Sequence, residues 1–124
     1  MSKLISGFDA YQQCDYERAL RLLLPIAEAG SARAQCYIAS MYQGGLGVPV
    51  DGQEAVKWYR KAAEQEDREG IISGTAYNNL ATIFSAGMPG ISPDLMLAKR
   101  YWGKAVELGF EMIPREWYEP SGTA

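Results

Sequence analysis

The chain has 124 residues, 48% of them hydrophobic, and a formal net charge of -3 at pH 7. This length and apolar content predict one folded domain rather than a disordered segment. Its lysines and arginines are scattered and no apolar run approaches the roughly 20 residues of a membrane span, so we expect neither nucleic-acid nor membrane binding. The start MSKLISGF lacks the apolar segment of a signal peptide, which predicts a cytoplasmic location, with a removed leader as the alternative.

Two helices are predicted before residue 30. The first covers about residues 3–13, and the turn CDYE leads into a second that ends near residue 29. Pro25 lies inside the second helix, where a missing N–H and a steric clash cost about 3 kcal/mol. The apolar pattern of Ala19 and Ile26 continues across it, so we predict one helix that is kinked or locally opened near the proline.

Capping residues and glycines mark the later helices. Ser31 is placed to cap the third helix, and Asp51 with Glu54 forms a capping-box-like start for the fourth. Ser92 is expected to cap the sixth helix, with Pro93 as its first residue. The four predicted ranges are about 32–43, 51–65, 71–86 and 93–108, with a glycine-rich loop at 44–50 and a charged hinge at 66–70.

The predicted helices repeat along the chain. Residues 30–66 and 74–109 share one pattern, at a spacing of 42 residues before the loop and 43 after it, so one residue is inserted in the loop. Tyr42 thus corresponds to Phe84, and Asp51 to Asp94. A shorter copy precedes them, with Asp15 lying 36 residues before Asp51. A period in this range is typical of a solenoid of paired helices.

Small and aromatic residues recur in this pattern and are expected to form the core. Alanines should lie where helices cross and approach closely, at Ala34, Ala39, Ala55, Ala62, Ala76, Ala81, Ala98 and Ala105. Large rings should fill the spaces between adjacent helix pairs, at Trp58, Tyr59, Tyr101 and Trp102. The apolar tail at 110–120 is predicted to cap the last pair, because the end of a solenoid has no neighbour.

The stretch AQCYIASMYQGGLGVPVDGQEAVKWYRKAAEQ resembles a Sel-1-like repeat, a subfamily of tetratricopeptide-type helix pairs. The likeness rests on the loop at 45–48 and on Ala34, Ile38, Ala39, Tyr42, Asp51, Ala55, Trp58, Tyr59, Ala62 and Ala63. The later copy departs from it in the loop and at Phe84, Tyr101, Trp102 and Val106. The resemblance implies an all-α fold, a short right-handed superhelix of about three helix pairs in a single domain at 1–124, with copies at about 3–29, 31–66 and 71–109.

The residue types present argue against catalysis. The chain has no histidine, which removes the commonest general base and every histidine-bearing triad. The loop GGLGVP ends a helix, whereas a phosphate-binding loop opens one. Cys14 and Cys36 alone do not make a zinc site, and they are either free or joined in a disulfide. We therefore expect no enzyme activity, no cofactor and no metal.

A partner-binding groove is implied by the resemblance, because the first helix of each tetratricopeptide-type pair lines the concave face. The positions carried over are Phe8, Tyr11, Gln12, Arg33, Tyr37, Ser40, Gln43, Thr75, Asn78, Asn79, Thr82 and Ser85. This amide-rich set suits backbone hydrogen bonding to a protein or peptide, and the alternative is that these residues are merely solvated. The glycine-rich loop at 44–50 is the competing surface.

Two functions follow from the resemblance. The first is a small adaptor, a monomer or weak homodimer, that binds a partner protein or peptide through the groove. The second is a bacterial immunity or effector-associated protein that binds and neutralises a toxin.

Overall fold

The computed structural model describes residues 3–65 and 71–110, with side chains from residue 6 onward. Its regular elements are six helices: α1 (Lys3–Gln12), α2 (Tyr16–Glu28), α3 (Ala32–Gly44), α4 (Gly52–Glu64), α5 (Ile71–Ala86) and α6 (Leu95–Glu107). Each helix packs against the next along the chain, and α3 also contacts α5. The predicted all-α solenoid of three helix pairs is confirmed. None of the described helices is both long and apolar enough to cross a bilayer.

Side-chain caps start four of the helices. The acceptors are Asp15, Ser31, Asp51 and Asp94, each of which accepts a hydrogen bond from the backbone N–H three residues later, at 3.1 to 3.4 Å. Such a bond satisfies one of the N–H groups that have no partner within the first turn. The predicted caps at Ser31 and Asp51 are confirmed.

The predicted start of α6 is wrong. Asp94, rather than Ser92, caps the helix by accepting from the N–H of Leu97 at 3.1 Å. Pro93 precedes the cap and packs against Gly87, where an added Cβ would lie 2.7 Å from the proline ring. Because Gly87 has a φ of +73°, this close approach and the turn both favour glycine.

One hydrogen bond closes each full repeat between its two helices. The N–H of Asp51 donates to the carbonyl oxygen of Tyr42 at 3.0 Å, and the N–H of Asp94 donates to that of Phe84 at 2.7 Å. In both repeats the N-cap of the second helix is therefore tied to the end of the first.

The core consists mainly of the repeated small and aromatic residues. All eight alanines predicted at helix crossings are fully buried: Ala34, Ala39, Ala55, Ala62, Ala76, Ala81, Ala98 and Ala105. Trp58, Tyr59 and Trp102 are buried as predicted. Tyr101 differs, because its ring is only half-buried.

Several local expectations have clear outcomes. α2 runs through Pro25 as one helix, and Cys14 and Cys36 are not joined in a disulfide. The charged hinge at 66–70 and most of the predicted cap lie outside the described residues. Phe110, at the start of that cap, is described: its N–H donates to the carbonyl oxygen of Ala105 at 3.1 Å, and its ring covers Gly74.

Candidate functional site

Three aromatic rings from α1 and α3 form one end of the predicted groove. The ring of Tyr37 lies 4.5 Å from that of Phe8 and 4.8 Å from that of Tyr11, measured between centroids. Both pairs are tilted or edge-on, the arrangement that the ring quadrupoles prefer. The guanidinium of Arg33 lies 4.4 Å from the centroid of Phe8, within cation–π distance. The structure thus brings four of the predicted residues together.

Hydrogen bonds hold this aromatic cluster between the two helices. The Ser40 hydroxyl donates to the carbonyl oxygen of Tyr37 at 2.8 Å, one turn back on the same helix. Since its only hydrogen is used there, its oxygen accepts from the hydroxyl of Tyr11 at 3.2 Å. Tyr11 is therefore fixed to α3 by its hydroxyl as well as by its ring.

Phe8 supports the groove rather than lining it. Only 9% of its surface is exposed, and it belongs to the hydrophobic core. Arg33 and Tyr37 cover its ring, so a partner would meet those two side chains first. The sequence alone could not separate Phe8 from Tyr11, because three residues along a helix place both on neighbouring parts of one face.

The polar residues of α5 make up the other end of the predicted groove. The hydroxyls of this polar stripe bond within the helix: Thr75 donates to Ile71, Thr82 to Asn78 and Ser85 to Thr82, at 2.7 to 3.0 Å. Asn78 and Asn79 differ, since their half-exposed side-chain amides have no hydrogen-bond partner among the described residues. Within the described part of the chain, these two amides are therefore the side chains on the stripe that can still donate a hydrogen bond to a ligand, whereas the three hydroxyls can only accept one.

Gln43 is held by the second helix of its own repeat. Its Oε1 accepts from the hydroxyl of Tyr59 at 2.8 Å. Burial raises the pKa of the Tyr59 phenol above its ordinary value, so this hydroxyl stays protonated and continues to donate. Gln12, by contrast, is exposed at the end of α1.

The groove therefore offers aromatic faces, carboxamides and one guanidinium. Among the described residues, no three histidine, cysteine, aspartate or glutamate side chains lie close enough together to hold a metal ion. This chemistry suits noncovalent recognition of a polypeptide, whose backbone presents N–H and C=O groups along its length.

A second surface was not predicted. Tyr101, which the repeat pattern places in the core, accepts a hydrogen bond from Nε of Arg60 at 3.0 Å and is half-exposed. A signal was present in the sequence, because the Trp58–Tyr59 order of one repeat is reversed at Tyr101 and Trp102. In the later repeat, the tyrosine with its polar hydroxyl therefore lies nearer to solvent, and Trp102 is buried.

Comparison with known proteins gives a consistent result. Three segments of the chain, residues 6–31, 32–67 and 74–110, match the Sel1 repeat. The fold is also similar to the crystal structure of a Sel1 repeat protein from Oxalobacter formigenes, with a TM-score of 0.71 and 32% sequence identity over 84% of this chain. The match spans 40% of that protein's length.

Proposed function

Because the chain belongs to the Sel1 repeat family, whose repeats are generally protein–protein interaction modules, we propose that this protein binds an extended segment of a partner protein through its concave groove. The observation that carries this proposal is the pair of half-exposed amides on α5, Asn78 and Asn79, which bond to no other described residue. A carboxamide can donate and accept at once, as a peptide group does. Two adjacent amides can therefore bind an extended backbone without requiring a particular side chain.

From the repeat spacing we expect Tyr37 and Asn79 to face the same side of the solenoid. Tyr37 and Asn79 are equivalent positions, 42 residues apart, and so are Ser40 and Thr82. A segment lying across α3 and α5 would meet Arg33 and the Tyr37 ring first and then the amides. Interface energy concentrates in tyrosine and arginine, so this end of the groove should supply most of the affinity.

The experiment requires variants that change the groove and leave the core intact. Tyr37→Ala is unsuitable, because the ring packs against Phe8 and Tyr11 and its removal would also weaken the core. Asn79→Ala removes a half-exposed amide instead, and Arg33→Gln removes an exposed guanidinium. Gln53→Ala, an exposed amide on α4, is the matched control.

A binding peptide is selected from a phage-displayed library of random peptides and titrated into each purified variant by calorimetry. We expect Asn79→Ala and Arg33→Gln to weaken binding about fivefold to tenfold, as loss of one hydrogen bond does, while Gln53→Ala has no effect. The competing surface is tested by Val50→Ser in the exposed part of the glycine-rich loop. Weakening in that variant alone would place binding at the loop and overturn the groove proposal.

A further inference from the structure

A second open cleft, of about 310 Å³, lies between α4 and α6 with α5 as its floor. Leu80 of α5 is buried beneath it, and the stacked rings of Tyr77 and Tyr101, 5.9 Å apart, line one side. Side chains two residues apart on a helix lie about 200° apart around its axis. Tyr77 and Leu80 therefore point away from Asn79 and Thr82, which places this cleft on the opposite side of α5 from the groove.

The charge of the cleft is opposite to that of the whole chain. Arg60, Arg100 and Lys104 line it, with Glu64 as its acidic side chain, although the chain carries a net charge of -3. These three cations form no salt bridge with any described residue. The ion pair that the structure shows on α4 joins Lys57 to Glu54 instead. Three cations around an apolar floor thus lack an ion-pair partner within the part of the chain that the structure describes.

The guanidinium of Arg60 is already oriented. Its Nε donates to the Tyr101 hydroxyl at 3.0 Å, and the central guanidinium carbon, Cζ, lies 5.7 Å from the centroid of the Phe84 ring. The four N–H groups on its terminal nitrogens make no hydrogen bond within the described part of the chain. A planar fork held in this way can bind a carboxylate in bidentate fashion with less loss of side-chain entropy. Lys104 Nζ adds a charge 5.5 Å from the centroid of Tyr77.

We propose that this cleft binds an acidic segment of a partner protein, with a carboxylate on Arg60 and an apolar side chain against the cleft floor. The apolar lining, which includes Leu80, Leu97 and Ala63, matches a leucine-like residue beside the carboxylate. A nucleic acid fits less well, because the net negative charge of the chain opposes a polyanion. This site is independent of the groove and would contact a different part of a partner, or a different partner.

The probe is a labelled peptide of three Glu-Glu-Leu repeats with blocked ends, titrated into the full chain by fluorescence anisotropy. We expect saturable binding that weakens as salt rises, and none for the same peptide with glutamine in place of glutamate. Arg60→Gln and Lys104→Gln should each weaken binding about fivefold or more, as loss of a charge-assisted contact does. Arg21→Gln, an exposed arginine on α2, is the matched control and should change affinity by less than about twofold.

Two further measurements identify the site. Tyr101→Phe keeps the aromatic ring and leaves the charge of Arg60 in place, but it removes the hydroxyl that orients the guanidinium. This variant should therefore bind the peptide more weakly and show a smaller peptide-induced shift of the Arg60 Nε–H resonance. Asn79→Ala should leave affinity for this peptide unchanged, which separates this test from that of the groove.

Any of four results would overturn the proposal. The first is no binding at peptide concentrations up to about 1 mM. The second is equal affinity for the glutamine peptide, and the third is an equal loss of affinity in Arg21→Gln. A shift of the Arg60 resonance by inorganic phosphate that the peptide does not displace would also overturn it, and would identify a small-anion site instead.

Discussion

The backbone N–H of Gly52 donates to the carbonyl oxygen of Pro89 at 3.0 Å and joins the start of α4 to the loop of the following repeat. Gly52 is buried, and an added Cβ would lie 2.5 Å from that oxygen and 2.7 Å from Cγ1 of Ile91. Both distances are shorter than a Cβ tolerates, so the missing side chain at Gly52 determines how closely the two repeats approach.

Two glycine substitutions should therefore have opposite effects. Gly52→Ala should lower the free energy of unfolding by about 1 to 3 kcal/mol, the usual cost of overpacking. Gly103→Ala should raise it by about 0.5 to 1 kcal/mol, because Gly103 lies inside α6 with open space around the new methyl group. Urea denaturation of both variants measures this, and a Gly52→Ala protein as stable as the unchanged chain would show that the contact with Pro89 is not limiting.

The alanines at helix crossings provide a second test. Ala55→Leu and Ala98→Leu should each destabilise the fold by about 1 to 3 kcal/mol, because both positions are fully buried. Gln53→Leu adds a similar side chain at an exposed position of α4 and should change stability by less than about 0.5 kcal/mol. Equal melting temperatures for the three variants would contradict the assignment of these crossings.

Tyr59 predicts a specific loss of stability at alkaline pH. Burial raises the pKa of its phenol, so above about pH 10 the phenol ionises in the unfolded chain while the folded chain keeps the proton. The unfolded state then binds fewer protons, and the free energy of unfolding falls by up to about 1.4 kcal/mol per pH unit from this group. The stability that the protonated Tyr59 contributes is complete below the pKa of the phenol in the unfolded chain, and it is lost as pH rises above that value.

The comparison is with Tyr59→Phe, measured by denaturation over a pH series. Between neutral pH and about pH 9 the two curves should run parallel, with the variant lower by about 1 kcal/mol for the lost hydrogen bond to Gln43. At higher pH the variant should fall less steeply. Identical slopes there would mean that Tyr59 ionises equally in both states.

Two shortened chains can distinguish the contribution of Phe110 from that of the residues that follow it. A chain ending at Gly109 should be less stable than one ending at Phe110 by about 1 to 2 kcal/mol, since it exposes apolar surface around Gly74. If residues beyond 110 cap the last helix pair, both shortened chains should also self-associate in sedimentation experiments. Two monomeric chains of equal stability would argue against both roles.

Local chemistry explains why most helix ends could be predicted. The bounds of α5 and the cap at Asp51 follow from residues within one turn, which the sequence shows directly. At α6 two local signals compete, a serine followed by proline and an aspartate two residues later. The repeat spacing favours Asp94, because Asp94 is equivalent to the cap residue Asp51. The hydrogen bond from the N–H of Asp94 to the carbonyl oxygen of Phe84 gives the physical reason, since the equivalent bond in the preceding repeat is made by its own cap residue.

The site was less predictable because its contacts are distant in sequence. The amides of α5 follow from helix periodicity, but the burial of Phe8 depends on Arg33 and Tyr37 of another helix. The bond from Arg60 to Tyr101 spans 41 residues and two helices of different repeats. Neither residue carries a local signal for it, so a pattern that equates the repeats places Tyr101 in the core.

The bond that closes each full repeat also affects how this chain tolerates changes in length. The loops from Tyr42 to Asp51 and from Phe84 to Asp94 differ by one residue, yet both end in the same N–H to carbonyl contact. The extra residue is absorbed between two fixed ends, so neither helix has to shift. Lengthening such a loop adds little closure entropy, since each doubling costs about 0.6 kcal/mol. We therefore expect these loops to accept short foreign sequences, such as an epitope or a protease site, at points that leave the contact between Gly52 and Pro89 intact, while the helices stay in register.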